Sequence, residues 1–166
     1  MAPELETERL RFRQWRETDV DPLHAFYSDP KSQAVYGDGV SRGDVWRRMA
    51  QLIGHWQLRG FGLYALDDKA TGELAGYAGL WFPDGWDDVE VGYGIAPRFR
   101  GKGYATEAAR RARDHGFREL GLARLVSYIN PINVTSIRVA EKLGAAPDGE
   151  FIMHGKPHVI YRHIST

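Results

Sequence analysis

The 166-residue chain balances 22 Lys+Arg against 22 Asp+Glu, which excludes the overall basic field of a general nucleic-acid binder, and its 43% hydrophobic residues suffice for a substantial core. It contains no cysteine, so disulfides, thiolate metal ligands and a thiol nucleophile are excluded. No apolar run is long enough to span a membrane, the opening MAPELETERL lacks a signal-peptide core, and no repeat or linker is found. A single cytoplasmic domain over residues 1–166, with no membrane partner, is therefore expected.

Leu10 to Trp15 alternate apolar and polar side chains as in a half-buried strand. Thr18 is a candidate cap for a short helix from about Val20 to Ser28, with Asp29-Pro30 as its stop. Ser41 and Asp44 have capping-box spacing and open a second helix to about Leu58, whose apolar face carries Val45, Met49, Leu52 and Trp56. Gly60 ends it. Phe61 to Leu66 and Glu73 to Phe82 read as strands joined by Lys69-Ala70-Thr71-Gly72, and a further strand runs from about Asp88 to Ile95. A helix then runs to about Leu120, stopped by Gly121. Leu122 to Ile129 is the next strand, and Asn133 caps a helix ending at Leu143-Gly144. Phe151-Ile152 and His158 to Ile164 are the last strands, joined by Gly155-Lys156-Pro157. The order β-α-α-β-β-β-α-β-α-β-β predicts an α/β fold with a mixed sheet covered by helices and one βαβ unit between Asp88 and Ile129.

The turn inside that unit is the most informative stretch. Arg100-Gly101-Lys102-Gly103 sets two glycines among two cations at the start of a helix. Backbone N–H groups there can point outward, and the helix dipole adds partial positive charge, so the turn suits a phosphate or pyrophosphate. It is not a Walker loop, because Lys102 is followed by glycine rather than Ser/Thr. Nor is it a dinucleotide fingerprint, because Thr106 stands where the third glycine belongs.

Arg100-Gly101-Lys102-Gly103-Tyr104-Ala105 resembles the R/Q-x-x-G-x-G/A loop of GNAT-superfamily N-acetyltransferases. Thr106-Glu107-Ala108, the opening ETERLRFRQWRETDVDPL, Asn133-x-x-Ser136 and Glu141-Lys142-Leu143-Gly144 extend the likeness over nearly the whole chain. They are similar to the branch that includes the ribosomal-protein N-terminal (alanine) acetyltransferases. The resemblance implies a mostly antiparallel central sheet, flanked by helices, with a V-shaped opening between two parallel strands. Acetyl-CoA would lie there, its pantetheine paired with backbone at Tyr93, Gly94, Ile95 and Ala96 and reached by Asn133. Its pyrophosphate would rest on Arg100, Gly101, Lys102, Gly103, Tyr104 and Ala105. No metal is implied, and a homodimer is the expected assembly for the branch.

Acetyl transfer to an amine needs a base for the amine proton and a partner for the departing thiolate. The resemblance makes Glu90 the first candidate for the base, with Asp88 as an alternative on the same strand face. It makes Ser136 the candidate proton donor or hydrogen-bond partner for sulfur. The tyrosine many relatives carry further along that helix is replaced by Ala140. Tyr36, Trp81 and Trp86 are candidate acceptor-pocket residues, with Tyr64 and Phe82 as additions and Asp84, Asp87 and Asp88 as an acidic loop nearby. The expected function is acetyl-CoA-dependent N-acetylation of a primary amine, on a small molecule or a protein N-terminus, by direct attack in a ternary complex. A non-catalytic acyl-CoA-binding or sensing domain is the alternative.

Overall fold

Alternation along a single strand serves two cores. Tyr64 and Leu66 pack with Phe12, Tyr104 and Ala108, while Leu63 and Ala65 pack with Val20, Val45 and Met49 on the opposite side. The computed structural model describes residues 2–165. In chain order the elements are β1 (Leu5–Glu6), β2 (Leu10–Arg13), α1 (Val20–Ser28), α2 (Pro30–Tyr36), α3 (Arg42–Arg59), β3 (Leu63–Asp68), β4 (Leu74–Trp81) and β5 (Glu90–Ile95). They continue with α4 (Tyr104–Asp114), β6 (Val126–Ile129), α5 (Val134–Lys142), β7 (Ala146–Met153) and β8 (Lys156–Arg162). The strands form one eight-stranded sheet in the order β1-β2-β3-β4-β5-β6-β8-β7. Its neighbours are antiparallel except β5 and β6, so the expected mixed sheet with one parallel pair is present. α1 and α3 cover one face with Val20, Leu23, Val45 and Met49; α4 and α5 cover the other with Ala108, Ala109, Ala112 and Val139. No helix among the described residues is long and apolar enough to cross a membrane.

The predicted caps hold at two helices. Ser41 and Asp44 close a reciprocal capping box on α3, and the Asn133 side chain accepts the Ser136 N–H at 3.2 Å on α5. Three readings are corrected. Thr18 is not the first cap: Asp19 closes that turn by accepting the Arg16 N–H at 2.8 Å, while Arg13 grips both Asp19 and Asp67. Asp29-Pro30 ends α1 but also begins α2, because Asp29 caps the Lys31 and Ser32 N–H groups and proline sits at the first helical position, where no N–H is required. The last hairpin turns at His154-Gly155, both at positive φ, so Lys156 and Pro157 belong to β8. Beyond Asp114 the fourth helix continues as a π-helical turn over His115–Glu119, and β6 starts only at Val126.

Gly94 is required by packing. A Cβ there would stand 2.7 Å from the Tyr77 ring, so β5 can lie against that tyrosine only with glycine at this position.

Asp29 both caps α2 and pairs with Arg100 at 2.5 Å. Asp29→Ala should destabilise the protein by about 1–2 kcal/mol, mostly the lost cap, since the ion pair is partly solvent-screened. Urea denaturation reads this directly; an unchanged midpoint would mean that α2 does not depend on its cap.

Candidate active site

β5 and β6 share a single register pair, Glu90 opposite Val126, with the Val126 N–H on the Val89 carbonyl at 3.0 Å. One step further the link is a side chain: the Ser127 hydroxyl reaches the Val91 carbonyl at 2.8 Å, and Nε2 of the buried His163 lies 2.9 Å from that hydroxyl. On the other edge of β5 the Ala96 N–H donates to the Ala75 carbonyl of β4. Alternation therefore turns the peptide groups of Gly94 and Ala96 toward β4 and those of Val91, Tyr93 and Ile95 toward the split. Arg100 Nε takes the Ile95 carbonyl at 2.9 Å. Of the four residues expected to pair with the donor, Tyr93 and Ile95 turn their peptide groups toward the split, while those of Gly94 and Ala96 face β4.

A groove of about 500 Å³ runs from this edge past the glycine turn, lined by Tyr93, Ile95, Gly101, Gly103, Ala105 and Asn133 among others. Gly103 adopts φ +82 as the cap of α4, a left-handed conformation that side chains resist, and leaves the first-turn N–H groups of Tyr104, Ala105 and Thr106 without helical acceptors. Arg9 buttresses the turn from behind. Its guanidinium donates to the Lys102 carbonyl at 2.7 Å, pairs with Glu107 and lies 4.3 Å from the Tyr104 ring centroid, while the Tyr104 hydroxyl donates to Asp68 at 2.6 Å. The two cations of the motif differ in their surroundings. Arg100 lines the groove but is engaged by Asp29, Ser32 and the Ile95 carbonyl; the Lys102 ammonium lies 5.6 Å from the Phe99 ring centroid and does not line the groove. The groove's other cations, Lys31, Arg138 and Lys142, come from helices α2 and α5. Reading the turn alone gives no sign of them.

A second cavity of about 600 Å³ opens on the α1–α3 face, and Tyr36, Trp81, Trp86 and Glu90 all line it. Glu90 accepts from the Trp86 indole N–H at 3.0 Å. Burial raises its pKa to about 7, against the opposing pull of that indole and the Tyr128 peptide. The Tyr36 hydroxyl meets that of Tyr77 at 2.8 Å, and burial pushes its pKa up to about 12. Tyr64 and Phe82 do not line this space. Tyr64 is buried on the other face beside Phe12 and Trp56, and the Phe82 N–H donates to His55 Nε2. His55 also bonds the Phe61 carbonyl through Nδ1, so it is a neutral structural side chain that stacks on Trp81. Asp84, Asp87 and Asp88 stay outside the lining, and Asp88 is paired with Arg124.

Groove and cavity meet. Val35, Tyr36, Tyr93, Asn133 and Ser136 line both. Ser136 is fixed there by the Tyr93 hydroxyl, which donates to its carbonyl at 2.9 Å, and by the Asn133 cap. Ala140 is fully buried, so the position of the missing tyrosine lies in the core. Among the described residues no group of acidic or histidine side chains could hold a metal ion.

Residues 9–146 match the acetyltransferase (GNAT) domain family, and the chain belongs to it. It is 33% identical over 170 residues to the uncharacterized protein YkkB of Bacillus subtilis, covering 97% of this chain and 95% of that protein. It is also similar to the crystal structure of an acetyltransferase from Agrobacterium tumefaciens, with TM-score 0.89, 30% identity and coverage of 99% and 96%. A structure of a putative ribosomal-protein-serine acetyltransferase from Vibrio cholerae shares the fold at TM-score 0.83 and 21% identity, covering 99% and 100%. The protein is thus an N-acetyltransferase of the GNAT family.

The Ser127–His163 contact, which the sequence did not reveal, is a brace. With the serine proton on the Val91 carbonyl, His163 Nε2–H donates to the hydroxyl, and among the described residues buried Nδ1 has no hydrogen-bond partner and hence no acid behind it. Burial, with Arg113 nearby, lowers the His163 pKa to about 4. The unfolded chain, at about 6.5, therefore binds the proton first as pH falls, so stability is lost between about pH 6.5 and 4. His163→Gln should remove a share of that loss of up to about 3 kcal/mol, read from urea midpoints across this range; identical pH slopes would show that His163 is not held neutral.

Proposed function

We propose that the chain transfers the acetyl group of acetyl-CoA to a primary amine by direct attack, with the donor in the glycine-turn groove and the acceptor in the Glu90 cavity. The observation that carries this reading is the wall the two spaces share, at Tyr36, Tyr93, Asn133 and Ser136, with Glu90 facing the acceptor side. The bound donor supplies an activated thioester carbonyl. The Tyr93 peptide groups and the Ile95 N–H bind its extended arm as a missing strand would. The N–H groups that open α4 receive the pyrophosphate, and Gly103 keeps side-chain bulk out of that cradle.

Glu90, with a pKa of about 7, is ionised in a large fraction of molecules near neutrality yet basic enough to take a proton from an ammonium or attacking amine. The amine nitrogen attacks the carbonyl carbon; the C–N bond forms, the C–S bond breaks, the amine proton passes to Glu90 and from there to solvent, and the thiolate takes up a proton from solvent. The Ser136 hydroxyl is suited to hydrogen-bond the departing sulfur, since a serine hydroxyl is too weak an acid to be an efficient proton source.

Glu90→Gln should lower kcat by about 10²- to 10⁴-fold and abolish the rise in rate through about pH 7, with affinity for acetyl-CoA unchanged. A retained inflection near pH 7 would remove Glu90 from the role. Gly103→Asp introduces a side chain at positive φ and a negative charge into the cradle. It should weaken acetyl-CoA binding by at least tenfold in calorimetry; equal affinity would refute the assignment of the pyrophosphate site.

A further inference from the structure

The charge distribution around the acceptor cavity points to the kind of amine it takes. Among its described lining residues Glu90 is the single carboxylate. Seven tyrosine and tryptophan side chains form much of the wall: Tyr27, Tyr36, Tyr77, Trp81, Trp86, Tyr93 and Tyr128. Cations stand on two separate elements, Arg48 on α3 and Lys156 at the start of β8, with His154 and His158 beside the latter. Arg48 is held over the Tyr27 ring, 4.7 Å from its centroid. Neither Arg48 nor Lys156 forms an ion pair with a carboxylate among the described residues, whereas Arg9, Arg13, Arg100 and Arg162 all do.

We propose that the acceptor is an amine on an apolar or aromatic body whose far end carries a carboxylate, and that Arg48 and Lys156 select for that group. This rests on the assignment of the Glu90 cavity as the acceptor site. One ammonium is matched at the inner end, by the Glu90 carboxylate and by aromatic faces that attract cations. The body of the molecule lies against the aromatic wall, and a cavity of about 600 Å³ holds a whole small ligand. A second ammonium on the same molecule would have no carboxylate to meet and would face Arg48 or Lys156. The cavity thus disfavours polycationic amines by repulsion as well as favouring amphoteric ones by attraction.

The test uses three amines of one shape: 4-(aminomethyl)benzoate, 4-methylbenzylamine and 1,4-bis(aminomethyl)benzene. Each is incubated with acetyl-CoA and the full chain, and released CoA is read with a thiol reagent, to which the cysteine-free protein contributes no background. The carboxylate should be the best substrate, with kcat/KM at least tenfold above the diamine and the neutral amine between them. In Arg48→Gln/Lys156→Gln the advantage of the carboxylate over the neutral amine should shrink at least fivefold, mainly through KM. A diamine preferred by the wild type, or an advantage untouched by the double substitution, overturns the inference while leaving acetyl transfer intact. Tetrapeptides with acidic or basic residues behind a free N-terminus distinguish a peptide source of the same chemistry: acidic preference supports the inference, basic preference refutes it. Absence of CoA release with every amine overturns the inference together with the assignment beneath it.

Discussion

β5 and β6 stay in register for one residue pair and then part, and every functional feature of the molecule is arranged around that gap. Continued pairing would consume the peptide groups of Tyr93 and Ile95. The gap is secured where it begins. Ser127 substitutes a hydroxyl for the next ladder bond, with His163 behind it, and the long links of β4 with β5 and β6 with β8 hold the two strands from outside. An opening built this way leaves polar backbone available inside a well-packed domain. Glu90 stands at the closed end of the gap and the glycine turn beyond its open end, so one strand serves both spaces.

Charge is arranged as deliberately as shape. A sequence with zero net charge could neutralise itself everywhere, and in much of the molecule it does: Arg13 grips two carboxylates, and Arg9, Arg98, Arg111 and Arg162 each have one. Around the two cavities the pattern changes. Glu90 is left with an indole rather than a cation beside it, so its basicity rises instead of falling. Among the described residues, the cations that line these spaces from α2, α3, α5 and β8 pair with no carboxylate. Arg100 is the exception, and it is the one cation of the glycine-turn motif that lines the groove.

What the sequence revealed was local. Ser41 with Asp44, Asn133 with Ser136, and the two glycines of the turn announce themselves within a few residues, because caps and tight turns are satisfied by near neighbours. α2 was hidden because a proline stops one helix and starts another with the same chemistry. β1 is two residues long and exists through its pairing with β2. Tyr36 and Tyr64 look alike on paper; which one reaches the cavity depends on the face of the sheet that receives each, a property of the assembled molecule. The partners of Arg100 and of Ser127 lie 71 and 36 residues away and carry no mark in the chain.

Arg100 joins two places that the sequence keeps apart: the end of β5 and the start of α2, where it holds both the Asp29 cap and Ser32 in the first turn. α2 is seven residues long, roughly 10 Å, and Tyr36 at its far end forms part of the wall common to both spaces. Arg100 at the head of the glycine turn and the tyrosine in the wall common to both spaces are therefore linked by a single short strut. Any substitution at Tyr36 therefore acts on a beam anchored at the glycine turn, and Asp29, Ser32 and Arg100 are the fixings to leave untouched.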